Sequence, residues 1–262
     1  MRQLVREKKP FILCIQETKI ASVDVHICNS IWGDVNVDFS YQPSVDAPGG
    51  LVTFWDKNEV KVWSSMSFQH VLVISGRFVK TKENFVLWNV YAPFDIVRQE
   101  ALWINMSTNL NPFIGQNVCI CGDFNVIRCV DERCTTGNVS SQAASAHFNQ
   151  FIEGNFFIDL PLWGRRFTWF RGDGRSMSCL DRFLLSDSWC ISWPNCCQMA
   201  SARGLFDHCP LVLTVDEEDW GPRPLRILKC WEDFPGYNIF VREKWNSFHI
   251  EGWGGYVLKE IF

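Results

Sequence analysis

The apolar residues of this chain are parcelled into short runs of strand length, and several of those runs stop on an acid, an amide or a histidine. No other feature constrains the fold as much. Residues 11–15 (FILCI) are a continuous apolar run ending in Gln16-Glu17-Thr18. An unalternated run of that length reads as a strand buried on both faces. Between residues 35 and 94, VNVDFSYQ, LVTFWDK, VKVWSS, HVLVISGRFV and FVLWNVYAP recur about every ten residues, with Pro48-Gly49-Gly50 as a turn. That is the pattern of an antiparallel meander. Residues 117–127 give a further buried strand that breaks at Gly122-Asp123, and its Cys119 and Cys121 point to one sheet face. Residues 165–182 hold two short strands around Gly172-Asp173-Gly174, and 210–215 form a last apolar strand.

Helical patterns separate these runs. LVREKKP reads as the last turns of a helix stopped by Pro10. Residues 95–110 carry apolar positions at Ile96, Leu102, Trp103, Met106 and Leu110. Residues 140–155 start on Ser and end on Gly-Asn, and 184–189 form a helical turn. After Val215, DEED followed by GPRP has the make-up of a linker, and FPGYNIFVREKWNSF is one amphipathic helical stretch. The expected division is one large domain over 1–215 and a linker with a helical connector over 216–262, too short to build its own core.

The 47% hydrophobic and 21% charged content is that of a globular chain and excludes disorder and coiled coil. With 13 Trp and 21 Phe, the core is bulky. A net charge of −4 excludes a generally cationic nucleic-acid binder, so any grip on phosphate must come from a local cluster or a bound metal. No apolar run approaches the roughly 20 residues of a membrane-spanning helix. The charged-then-apolar N-terminus resembles a signal peptide, but its run is short and QETK follows directly, so an intracellular protein without membrane association is expected. The 12 cysteines include no CxxC pair and read as small buried hydrophobes in a reducing compartment.

The chemistry sits where the runs break. Glu17 follows FILCIQ, Asp123 and Asn125 follow VCICG, and Asp207 and His208 precede CPLVL. Each alone is as well read as a loop start, a turn or a cap. Asp181, inside CLDRFLL, is harder to dismiss, because a carboxylate in an apolar strand needs a partner. A histidine suits it, since an Asp–His pair orients an imidazole for proton transfer. Carboxylates and an amide converging from several strand ends suit a hard divalent cation, Mg²⁺ before any soft metal, with a general base beside it.

In combination these pieces carry a resemblance. IQETK, the Gly49-Gly50 turn, NVYAP, GDFN, LDRFLLS and FDHCPLVL stand in the order seen in the endonuclease/exonuclease/phosphatase superfamily, also called DNase I-like. Within it the chain resembles the apurinic-type endonuclease domain of plant LINE-type non-LTR retrotransposons, on FTWFRGDG, MSCLDRFLLS and GPRPLRILKCWEDFPGYNIFVREKW. The resemblance implies an α/β fold: a four-layer sandwich of two mixed β-sheets flanked by helices. The family's first strand, with an asparagine in a WNVRG-like motif, has no counterpart here, and Met1 falls inside the helix that follows it. A domain incomplete at its N-terminus is therefore expected.

The resemblance also implies roles. Glu17 matches the metal-binding glutamate and Asp207 the metal-side aspartate. Tyr91 matches the tyrosine at the scissile phosphate. Asp123 and Asn125 match the pair that positions water and phosphate. Asp181 matches the aspartate orienting the active-site histidine, here His208. The implied activity is Mg²⁺-dependent phosphodiester hydrolysis, with Mn²⁺ as a substitute, by a DNA endonuclease that nicks its target for retrotransposition in the nucleus. A reverse transcriptase domain is expected in the parent polyprotein. The alternatives are an inactive fragment with residual nucleic-acid binding, or another phosphoesterase of the same fold. Arg165, Arg166, Arg171, Arg175 and Arg182, interleaved with Phe167, Trp169 and Phe170, form a candidate DNA-facing cluster, with Arg171 and Arg175 as the DNA contacts and Phe167 and Trp169 in the core.

Overall fold

The structure, a computed structural model, describes residues 1–19, 22–33, 36–44, 49–135, 142–204, 206–215 and 236–247. The chain divides into two compact units, Met1–Asp216 and Glu217–Phe262. The described helices are α1 (Arg2–Lys8), α2 (Val25–Trp32), α3 (Ile96–Leu110), α4 (Gln142–Gly154), α5 (Asp187–Ser192) and α6 (Tyr237–Ser247). The strands are β1 (Ile12–Ile15), β2 (Val37–Gln42), β3 (Leu51–Asp56), β4 (Val60–Phe68), β5 (Val71–Phe78), β6 (Asn84–Tyr91), β7 (Val118–Asp123), β8 (Arg133–Cys134), β9 (Ile158–Asp159), β10 (Leu162–Trp163), β11 (Trp169–Phe170), β12 (Met177–Ser178), β13 (Asp181–Leu185), β14 (Cys196–Ala200) and β15 (Leu211–Val215). Of the described elements, α6 alone belongs to the second unit. The expected linker runs DEED and GPRP lie outside the described residues, as does the Ser start of the α4 pattern. No helix among the described residues is long and apolar enough to cross a membrane.

A six-stranded mixed sheet, in the order β4-β5-β6-β7-β13-β9, is the centre of the first unit. Its β6–β7 pair is parallel and its other pairs are antiparallel. The FVLWNV run explains why it sits in the middle. Val86, Trp88 and Val90 enter one apolar cluster with α3 and α4, through Leu102, Trp103, Met106, Phe148 and Phe151. Phe85 and Leu87 enter a second cluster on the opposite face, with Cys119, Cys121, Trp55, Leu185 and Trp189. Both faces of β6 are therefore dry, which is what an unalternated apolar run requires. The two cysteines of β7 share a face, as their spacing predicts.

The second cluster also holds Ile12 and Cys14 of β1 and Leu213 of β15, so a second layer of strands packs across that face. Outside it, α1 and α2 bury Val5, Cys28 and Trp32 against Val52 and Phe54 of β3. The order is helices, strands, strands, helices, the expected four layers. Within these layers, hydrogen bonding among the described residues divides the strands into four groups. Besides the central sheet there are β1-β3-β2, β10-β14-β15 and β11-β12-β8. The meander over residues 35–94 is likewise shared between layers, because β2 and β3 pair with β1 while β4 to β6 build the central sheet. Among the described residues β1 and β15 end their sheets, each paired along one edge only. That corrects the reading of residues 11–15 as buried on both faces: all four residues of β1 are half-buried. Leu184 and Leu185, expected in a helical turn, complete β13, and the helix starts after Ser186, whose hydroxyl caps the Trp189 amide.

One glycine is fixed by close approach. Gly122 pairs with Val90 across β6–β7, its φ is 138°, and a Cβ there would collide with the Val90 carbonyl oxygen. The absent side chain lets β7 run tight against β6 just before Asp123.

Candidate active site

Strand register assembles the site. Tyr91 ends β6 opposite Asp123, which ends β7, and Asp123 lies opposite Asp181, which begins β13. Three of the expected residues therefore stand in one row across three hydrogen-bonded strands. His208 arrives from another sheet, just before β15, and is tied to the row's neighbourhood by an isolated bridge to Trp169. Its Nδ1 lies 2.8 Å from Asp181 Oδ2, and its Nε2 lies 3.8 Å from Asp123 Oδ2. Thr168, fully buried, supports this pair. Its hydroxyl accepts from the amides of Leu180 and Asp181, and its carbonyl accepts from the Cys209 amide. One buried threonine thus fixes the backbone beside both members of the Asp–His pair, and no feature of the FTWF run distinguished it in the sequence.

Glu17 closes the site from the end of β1. Tyr91 donates its hydroxyl hydrogen to Glu17 Oε1. Behind Glu17, the Gln16 amide donates to Asn89 Oδ1 at 2.6 Å, and buried Asn89 donates onward to the Val52 carbonyl at 3.0 Å. The Thr18 amide donates to the Gly50 carbonyl at 3.0 Å, so the Gly49-Gly50 turn clasps the QET segment. Glu17 and Asn125 both adopt left-handed backbone conformations, with φ of 52° and 50°. Each costs on the order of 1–3 kcal/mol, and such outliers gather at functional sites. Asn125 is held by its amide donating to Asp123 Oδ1 at 2.9 Å and its Nδ2 donating to the Ala92 carbonyl at 2.7 Å.

The remaining expected residues lie further out. Asp207 is exposed and accepts from the Trp169 indole N–H at 3.2 Å. Trp169 is therefore a half-buried member of the site rather than the core residue expected. Arg171 and Arg175 are exposed at the Gly172-Asp173-Gly174 turn, where Arg171 pairs with Asp173 at 3.5 Å. Arg182 leaves the expected DNA-facing cluster altogether. It is 3% exposed, on the face opposite Asp181, and binds Asp159 at 2.9 Å and Glu132.

Burial sets the electrostatics. The Asp123 carboxyl is pushed up to about 7, first by desolvation and then by the charge of Asp181, with His208 pulling the other way. His208 is pushed up to about 9: desolvation opposes its charge, but the hydrogen bond and charge of Asp181, then Asp123 and Asp207, outweigh it. Burial, then the hydrogen bond to Glu17, pushes the Tyr91 phenol up, so it stays a neutral donor. His208 thus binds its proton more tightly folded than unfolded. Its stabilising contribution is complete below its ordinary value of 6.5 and is lost as pH rises from there through about 9. Urea unfolding in EDTA across that window is expected to show stability falling with pH, and His208→Gln is expected to flatten the fall. Equal slopes for the two proteins would refute this.

Among the described residues, Asp123, Asp181 and His208 are the one group of three or more His, Cys, Asp or Glu side chains whose ligand atoms all lie within 4.8 Å of one another. Glu17 and Asp207, expected as the metal side, stand outside that group. The donor chemistry nonetheless fits a hard divalent cation. The oxygens of Glu17, Asp123 and Asp207 are carboxylate donors with no thiolate among them, and the buried Asp123 carboxylate has one hydrogen bond, from the Asn125 amide.

The comparisons agree with the architecture. A family model described as the Endonuclease/Exonuclease/phosphatase family matches residues 1–197. Among solved structures, the fold is similar to the AP endonuclease LMAP from Leishmania major, with a TM-score of 0.63 and 17% identity over 80% of this chain and 79% of that one. It is similar to an endonuclease/exonuclease/phosphatase from Bacteroides vulgatus, with a TM-score of 0.60 and 14% identity over 82% and 88%. It is also similar to the endonuclease domain of TRAS1, a telomere-specific non-LTR retrotransposon, with a TM-score of 0.59 and 13% identity over 80% and 88%. At these identities the likeness is one of fold. No curated protein matches the chain in sequence. With three quarters of its length matched by the family model, the chain belongs to the Endonuclease/Exonuclease/phosphatase family.

Proposed function

We propose that this chain hydrolyses DNA phosphodiesters with Mg²⁺, nicking one strand in the manner of a retrotransposon endonuclease. The observation that carries the reading is the row Tyr91–Asp123–Asp181 with His208 held by Asp181 at its edge. Hydrolysis of a phosphodiester needs an activated water and donors for a charge-rich transition state. Asp123 is the acceptor for the attacking water's proton, and Asn125 orients that water and the phosphate. His208, kept protonated by Asp181, donates from Nε2 to a phosphoryl oxygen. Tyr91 donates from a neutral hydroxyl, which does not repel the phosphate. Glu17 and Asp207 would hold the divalent cation, which would supply charge neutralisation at the phosphate oxygens and the leaving group.

DNA is taken as the substrate by analogy with the TRAS1 endonuclease domain and the AP endonuclease, whose fold the chain shares; another phosphoesterase of the same fold is the alternative. A nuclear site of action and a reverse transcriptase domain in the parent polyprotein belong to the same reading. The test is conversion of supercoiled plasmid to nicked circles by the purified chain. It is expected with Mg²⁺ and absent in EDTA. Glu17→Gln is expected to require on the order of 10–100-fold more Mg²⁺ for half-maximal nicking. Nicking that survives EDTA, or that is indifferent to Glu17→Gln, would overturn the assignment.

A further inference from the structure

Helix α3 carries one polar residue on its buried face. Its buried positions are Gln99, Leu102, Trp103, Met106 and Leu110, and Gln99 is 3% exposed. Helical spacing puts these five on one stripe, where an amide without partners would be costly. The Gln99 amide has partners. Its Nε2 donates to the Pro93 carbonyl at 2.9 Å and to the Asn125 carbonyl at 3.2 Å. One side chain thus gives both of its amide hydrogens to two different segments of the site. One segment leaves β6 after Tyr91, and the other leaves β7 after Asp123.

The backbone cannot make this link by itself. The parallel β6–β7 ladder ends at Tyr91 and Asp123, with one more bond from the Ala92 amide to the Asp123 carbonyl at 2.8 Å. Pro93 has no N–H with which to continue it. On the other side Asn125 turns into the left-handed region at a φ of 50°, and the extended conformation that a ladder needs is lost. Gln99 supplies the next rung from the helix. Its own place is fixed from both directions. The Asp95 carboxylate caps α3 by accepting from the Arg98 amide at 3.0 Å, and the Asp95 carbonyl accepts from the Gln99 amide at 2.9 Å. On the other side, Leu102, Trp103 and Met106 are locked in the core. The Asn125 side chain is aimed by the same two segments, since its Nδ2 donates to the Ala92 carbonyl at 2.7 Å.

We propose that Gln99 is a positioning residue: it clamps the segments after Tyr91 and Asp123 to each other, and through Asn125 it sets where the attacking water and the phosphate sit. Its effect on catalysis rests on the nuclease reading, whereas the clamp does not. Gln99 is buried and bonds to backbone carbonyls, so it acts on the reaction through the residues it holds. Its loss therefore falls on the chemical step and not on the grip on DNA.

The first test is hydrogen exchange, read by mass spectrometry, on the full chain in EDTA. Gln99→Met keeps the length of the side chain and removes both donors. It is expected to speed exchange about tenfold or more in peptides carrying the Ala92 and Asn125 amides, and to leave β5 unchanged. Unchanged exchange at both positions would overturn the clamp, whether or not the chain is a nuclease. The second test is plasmid nicking with saturating Mg²⁺, at a temperature where circular dichroism shows each variant folded. Gln99→Met is expected to lower kcat on the order of 10–100-fold, with KM for plasmid changed by less than about twofold. A rise in KM at unchanged kcat would overturn the positioning role. Met106→Ala, which opens a cavity on the same helix face, is expected to keep kcat within about twofold. An equal fall in kcat from Met106→Ala would reduce the Gln99 effect to one of stability. In an Asn125→Ala background, Gln99→Met is expected to lower kcat no further, since the two side chains act as one unit. Losses that multiply would overturn action through Asn125. If Gln99→Met loosens both segments but the unaltered chain never nicks plasmid, the clamp stands and the nuclease reading falls.

Discussion

Purified protein carrying His208→Ala is expected to nick plasmid DNA at least about a thousandfold more slowly than the unaltered chain. A positioned proton donor contributes roughly 10²–10⁴ to such a reaction, and this substitution removes both the donor and the positive charge facing Asp123 from 3.8 Å. Asp181→Asn is expected to cost less, about a hundredfold, because the amide still hydrogen-bonds the ring while its charge no longer favours the imidazolium. The double variant is expected to be no worse than His208→Ala, since the two side chains act through one ring. Nicking assays with saturating Mg²⁺, on protein verified as folded, decide the matter. A loss below tenfold for His208→Ala would remove the ring from the chemistry, and additive losses in the double variant would uncouple Asp181 from it.

The largest expected effect on stability lies at the next residue along the chain. Arg182 is 3% exposed and donates to Asp159 at 2.9 Å, to Glu132 and to the Cys179 carbonyl at 3.0 Å. Asp159 also accepts from Arg128 at 3.1 Å, and Arg128 donates to Asn149 of α4 at 2.8 Å. The carboxylates outweigh the desolvation of Arg182 and hold it more firmly protonated than an ordinary arginine. Arg182→Ala leaves the buried Asp159 carboxylate with Arg128 alone and takes the guanidinium from Glu132, and removing one partner of such a network costs about 3–5 kcal/mol. Urea unfolding is expected to show a loss of that size, with part of it recovered in Arg182→Ala/Asp159→Ala. A loss under 1 kcal/mol would mean that the network relaxes without Arg182.

The strand-end acids were legible because a polar group that interrupts an apolar run has few structural reasons to be there, and Glu17, Asp123 and Asp181 all do so. Helix positions were legible for the same kind of reason, as in the apolar spacing of α3. Arg182 was misread because its neighbours in sequence are exposed arginines. Only the pleat of β13, which turns Asp181 and Arg182 to opposite sides, separates it from them. Trp169 was misread and Thr168 passed over because an aromatic–threonine run looks alike whether it faces a core or a site. The division of the meander between two layers depends on which strands find partners, and that is settled by contacts far apart in sequence.

The row of Tyr91, Asp123 and Asp181 also bears on which kinds of genetic change the site survives. It is held by backbone ladders, so most single substitutions nearby leave its geometry in place. Deleting one residue ahead of β13 acts differently: the strand turns over, and the guanidinium of Arg182 takes the place where the Asp181 carboxylate meets His208. Sign as well as shape is then reversed at the catalytic row. Lineages descended from such a sequence are therefore expected to accumulate point changes around this strand long before they tolerate a change in its length.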